Sequence, residues 1–171
     1  MPAVFASAEQ LVQHLRTLPK GSVVGIEGFM ASGKSFLAKQ LAETCGFAAL
    51  HTDDFVQGDD ETRPYIERLD LPRLDLRLGQ LSAHTPAIII EGICLRQVAT
   101  HASIPVSLYV YVKRIARSGL WHDGLHLEDF EAGADTNAEE PDLSDMRYHA
   151  QVRPHDIANF EIHRPESQSA A

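Results

Sequence analysis

The chain is poor in cysteine, in long apolar runs and in basic charge, and each shortage excludes a class of protein. Its two cysteines, Cys45 and Cys94, stand 49 positions apart among 171 residues. With no second pair nearby, they form neither a zinc pattern nor a disulfide framework, which fits a reducing, cytoplasmic compartment. The longest aliphatic run, Ala87 to Ile90, is far below the ~20 residues of a membrane span. The opening MPAVFASAEQ lacks a basic region followed by an apolar stretch, so no signal peptide is expected. Fifteen Lys and Arg against 24 Asp and Glu leave a net charge of −9. Nine of those acids lie between Asp123 and Asp145, where there is no Lys or Arg. Without a basic stripe to release counterions, neither nucleic acid nor an anionic membrane is the expected partner.

What remains is ordinary globular composition, 44% hydrophobic and 23% charged, and a length suited to one domain. Ser7 and Gln10 read as a capping box before a helix carrying Leu11, Val12, Leu15 and Leu18, broken at Pro19–Gly21. Val23, Val24 and Ile26 predict a buried strand ending near Glu27, followed by a Gly-rich loop and a helix from about Lys34 to Gly46. Further strands are expected at Phe47–His51, Ala87–Ile90, Val106–Val112 and Ile157–Ile162. Helices are expected around Leu74–Leu81 and Leu143–Val152. Residues 53–72 read as an irregular excursion, and the stretch from about 118 to 145 as a mobile acidic lid. The expected domain is 1–164, with 165–171 as a disordered tail. Strands alternating with helices predict a three-layer α/β/α fold with a parallel sheet, whose ligands bind at the strands' carboxyl ends.

At one such end, Gly28-Phe29-Met30-Ala31-Ser32-Gly33-Lys34-Ser35 matches the phosphate-loop pattern G-x-x-x-x-G-K-[ST], between an apolar strand and a helix. Polyphosphate needs several N–H donors at once, and such a loop opening a helix supplies them together with positive potential. Lys34 is expected on the β- and γ-phosphates and Ser35 on Mg2+, with Phe36 completing the nucleotide-contacting run. The guanine reader Asn-Lys-x-Asp of GTPases is absent. The third strand ends in Glu91-Gly92 rather than in the Asp usual for transporter and motor ATPases.

Gly25 to Ser35, Thr52-Asp53-Asp54-Phe55 and Ile88-Ile89-Ile90-Glu91-Gly92 together resemble the uridine kinase and nicotinamide riboside kinase group of small-molecule P-loop kinases. Pantothenate kinase and phosphoribulokinase are similar too. The resemblance runs over roughly residues 22–163, supported further on by Tyr148-His149, Arg153-Pro154 and Ile157-Ala158. It implies a P-loop NTPase fold with five parallel strands in the order 2-3-1-4-5, and phosphorylation of a hydroxyl by ATP and Mg2+. It places Asp53 as general base, Glu91 with Ser35 at the metal, and Arg114 and Arg117 as lid arginines. The residues support parts of this on their own account. A carboxylate at a strand's carboxyl end can take an alcohol's proton, and only one of the adjacent Asp53 and Asp54 can face the site.

Each of these residues also has a plainer reading. Asp53 and Asp54 would serve as a helix cap, Glu91 as a strand-end acid, and Arg114 and Arg117, three apart on a helical segment, as surface ion pairs. Phe55 and Tyr65 would stack on a planar acceptor or simply fill the core. Trp121-His122-Asp123-Gly124-Leu125-His126 reads as a solvated lid rather than a metal site. The expected acceptor is a hydroxylated small molecule, nucleoside-like first. An ATP-hydrolysing NTPase or a regulatory nucleotide-binding module acting with a protein partner is the alternative. The sequence carries no indication of oligomeric state.

Overall fold

In a computed structural model, residues 2–5, 8–58, 60, 62–134 and 137–166 are described. Ser7 of the expected capping box and residues 167–171 of the expected tail lie outside them. The strands are β1 (Ala3–Phe5), β2 (Ser22–Glu27), β3 (Ala48–His51), β4 (Ala87–Glu91), β5 (Val106–Ile115) and β6 (Phe160–Pro165). The helices are α1 (Ala8–Leu15), α2 (Lys34–Cys45), α3 (Leu71–Ser82), α4 (Leu95–His101), α5 (Gly124–Glu131), α6 (Asp142–Val152) and α7 (Pro154–Ile157).

The sheet is parallel, in the order β1-β6-β5-β2-β4-β3. Read from the other edge, the strands β3-β4-β2-β5-β6 reproduce the expected 2-3-1-4-5. The sixth strand, β1, is the departure. It adds three residues to β6 through the pairings Ala3 with Phe160 and Phe5 with Ile162.

Period-two alternation sends neighbouring side chains to opposite faces, and both faces are covered. Val23, Ile88 and Ile90 pack with Leu74, Leu78, Leu95, Val98 and Tyr148 from α3, α4 and α6. Val24, Ile26, Ile89 and Val110 pack with Leu11, Leu15, Leu37 and Leu41 from α1 and α2. Strands buried on both sides explain why β2 and β4 read as continuous apolar runs.

Four expectations need correcting. The strand foreseen to end at Val112 runs on to Ile115, so Arg114 lies on a strand and Arg117 in the turn after it, not on a helix. The last strand begins at Phe160, because Pro154–Ile157 form a short helix with proline in its first turn. It also runs on to Pro165, three residues beyond the expected Ile162. The acidic stretch is not loop throughout: α5 forms inside it and seats Leu127 at 3% exposure. Residues 53–72 hold two 3-10 turns, Thr52–Phe55 and Tyr65–Arg68, ahead of α3. No helix among the described residues is long and apolar enough to cross a membrane.

Candidate active site

Register decides which strand ends meet. Glu91 pairs with His51 on one side and with Ile26 on the other, and Glu27 pairs with Tyr111. The phosphate loop after β2, the turn after β3 and the end of β4 therefore stand at one level. Two interstrand spacings, roughly 10 Å, separate the β3 end from the loop.

The loop enters α2 at Lys34, as expected. Gly33 sits at φ 92, a left-handed conformation that favours glycine, and α2 has no side-chain cap. The helix start without a side-chain cap suits an anion at its first N–H groups. Ala31 also adopts a left-handed φ of 59, a strained conformation for an alanine, of the kind found at ligand clamps. Lys34 is buried, and among the described residues its ammonium hydrogen-bonds the Phe29 carbonyl, at 3.4 Å. Ser32 Oγ is buried without a hydrogen-bond partner among the described residues, while Ser35 is exposed.

Asp53 and Asp54 part company in the 3-10 turn. Asp53 Oδ1 accepts from the Tyr65 hydroxyl at 2.6 Å, and that hydroxyl also lies 2.7 Å from Thr52 Oγ1. Burial, with Asp53 beside it, pushes the Tyr65 hydroxyl up, so it stays a protonated donor. Tyr65 and Phe55 are both core residues, at 3% and 4% exposure. Asp54 instead lines a separate groove with Arg73 and Arg77 of α3.

Glu91 is buried beside His51, its Oε1 2.5 Å from His51 Nδ1, and its Oε2 has no hydrogen-bond partner among the described residues. A buried carboxylate oxygen without a partner suits a cation or its water. The glycine after it is sterically required, since a Cβ at Gly92 would lie 1.8 Å from Thr52 Oγ1.

A cleft of about 650 Å³ opens beside the loop, lined by Ala31, Ser32, Gly33, Arg114, Arg117 and Arg164. Arg164 donates to the Gly33 carbonyl at 2.8 Å and covers the exposed Phe36 ring at 4.5 Å. Arg114 lies 2.5 Å from His122 Nδ1 and 3.4 Å from Asp123 Oδ1. The segment foreseen as a solvated lid is therefore packed in part. Trp121 lies against His155, with ring centroids 5.0 Å apart, and under the Lys113 ammonium.

Sequence reading missed Arg164, although it stands at a strand's carboxyl end, where the same rule located the other candidates. It also missed the support beneath the loop. Glu27, fully buried, accepts from Arg96 at 2.9 Å and from the Tyr148 hydroxyl at 2.6 Å. Burial raises its carboxyl above the usual range, with Arg96 opposing. The only trace of this in the sequence is an acid at the end of an apolar run.

No protein-family model matches the chain, and no curated protein matches it. Solved structures do. A possible uridine kinase from Bacillus stearothermophilus aligns with a TM-score of 0.59 at 17% identity, covering 91% of this chain and 96% of that one. A structure assigned as a fructose transport system kinase, from Silicibacter sp. TM1040, aligns with a TM-score of 0.53 at 14% identity, covering 94% and 100%. The chain shares with them the α/β fold of the P-loop kinases.

Proposed function

We propose that the protein is an ATP-dependent small-molecule kinase that transfers the γ-phosphoryl group of ATP to an acceptor hydroxyl, a nucleoside-like one first. One observation carries this reading. An uncapped phosphate loop, a tyrosine-held aspartate and a buried glutamate with a free oxygen stand on three adjacent strand ends. A module that only binds nucleotide has no use for the aspartate.

In this reading the loop N–H groups and Lys34 bind the phosphates, and Arg114, Arg117 and Arg164 line the donor cleft. Asp53, held through Oδ1 by Tyr65, takes the acceptor's proton as the loose transition state forms. Ser35 and Glu91 would hold Mg2+, which supplies charge neutralisation to the phosphates when bound.

The test is ADP release from Mg2+ and ATP against nucleosides, nicotinamide riboside, pantothenate and sugars. Stimulation by one acceptor that Asp53→Asn abolishes supports the kinase. Slow release that no acceptor changes supports hydrolysis to water.

A further inference from the structure

Two consecutive residues of α6 touch the two halves of this site. Asp145 is buried, and its Oδ2 accepts the Met30 N–H at 2.9 Å. One turn further, His149 stacks flat on Phe29, with ring centroids 3.6 Å apart and planes within 13°. The helix thus holds the front of the phosphate loop by its backbone and by its aromatic side chain. Ser144 reaches toward the other half. Its Oγ accepts the Tyr65 N–H at 3.1 Å, and its carbonyl lies 3.6 Å from Cys94 Sγ. Tyr65 is the residue whose hydroxyl holds Asp53.

We propose that Ser144 and Asp145 are positioning residues that couple nucleotide binding at the phosphate loop to ordering of the Asp53 turn. The inference rests on the nucleotide reading of that loop. Consecutive Cα atoms are ~3.8 Å apart, and inside one helix they move as a unit. Phosphates that fix Phe29–Ala31 fix the Met30 N–H and the Phe29 ring, hence Asp145 and His149, hence Ser144. From Ser144 the restraint passes to Tyr65 and so to Asp53. The chain between the two 3-10 turns is exposed around Gln57 and Gly58, and the Ser144 hydroxyl tethers the backbone of Tyr65 in addition to the core packing of its ring. Coupling of this kind is reciprocal, so an acceptor that orders Asp53 tightens nucleotide binding in turn.

The experiment is amide hydrogen exchange on the full chain, with and without Mg2+ and a non-hydrolysable ATP analogue. The unsubstituted chain is expected to slow by about fivefold or more, the low end of usual coupling, at Gly28–Leu37 and also at Thr52–Phe55 and Tyr65–Leu69. Ser144→Ala and Asp145→Ala should keep the first response and lose the second. Asp145→Asn, which still offers an acceptor oxygen to Met30, should restore it. In turnover, Ser144→Ala should lower kcat and abolish the fall in KM for ATP that rising acceptor concentration produces in the unsubstituted chain, a pattern that general loss of structure does not produce. Should Asp145→Ala fail to fold, Ser144→Ala decides alone. Protection confined to Gly28–Leu37 in the unsubstituted chain overturns the coupling and leaves the nucleotide reading standing. So does protection of all three segments in both alanine variants. No protection at Gly28–Leu37 overturns the nucleotide reading and the coupling with it.

Discussion

At the scale of single residues, the site divides between groups that touch substrate and groups that aim them. Lys34→Ala removes the one ammonium buried in the loop, so ATP affinity and turnover should fall together, as read by calorimetry and ADP release. Asp53→Asn is expected to behave differently. Nucleotide affinity stays, while turnover drops by about 10²–10⁴-fold, the scale of general-base loss. Asp54→Asn, facing the Arg73 groove, should be close to neutral, and that contrast tests the assignment within one pair of neighbours. Tyr65→Phe deletes the hydroxyl that fixes Asp53 Oδ1 without removing the ring from the core. It should lower kcat by roughly tenfold, the equivalent of about 1.4 kcal/mol of lost positioning, with little change in thermal midpoint. Unchanged kcat in Tyr65→Phe would remove the tyrosine from the mechanism.

At the scale of elements, the buried Glu27 ties the end of β2 to α4 through Arg96 and to α6 through Tyr148. Arg96→Ala leaves a fully buried carboxylate without its cation, a change that typically costs 3–5 kcal/mol. Chemical denaturation should show a loss on that scale, while Glu27→Gln with Arg96→Met should recover much of it. Neither partner was legible beforehand, because a glutamate closing an apolar strand looks the same whether solvated or paired across 69 residues. The phosphate loop was legible for the opposite reason. Its glycines, lysine and flanking elements are contiguous, and its N–H donors are local. Strands β2, β4 and β5 announce themselves by apolar runs that only two covered faces tolerate, while their order in the sheet is what the kinase resemblance implies. Strand β1 does not announce itself, because three residues hold no periodicity and its partners lie some 157 positions away. Helix α5 buries Leu127 but leaves Leu125 59% exposed, too weak a stripe to stand out among the acids.

For the whole molecule, the acids and the buried His155 pull stability in opposite directions as pH falls. Protonating carboxylates relieves the self-repulsion of a chain at −9, which favours the compact state. His155 works against it. It is 6% exposed, packed beside Trp121 and Tyr111, and burial lowers its pKa from 6.5 to about 4 even with Asp156 nearby. A depressed folded-state value means the unfolded chain binds the proton first. The stabilisation from keeping His155 neutral is therefore whole above about pH 6.5 and is lost as pH falls toward 4. Between pH 7 and pH 5 that loss amounts to about 2 kcal/mol. Urea unfolding at the two pH values isolates it when the protein is compared with His155→Phe, which keeps an aromatic ring against Trp121 and has nothing to titrate. The unsubstituted chain should lose about 2 kcal/mol more than the variant over that interval. Equal losses in both would mean that His155 is charged or solvated in the fold, and that the packed core of the lid is looser than its aromatic contacts imply.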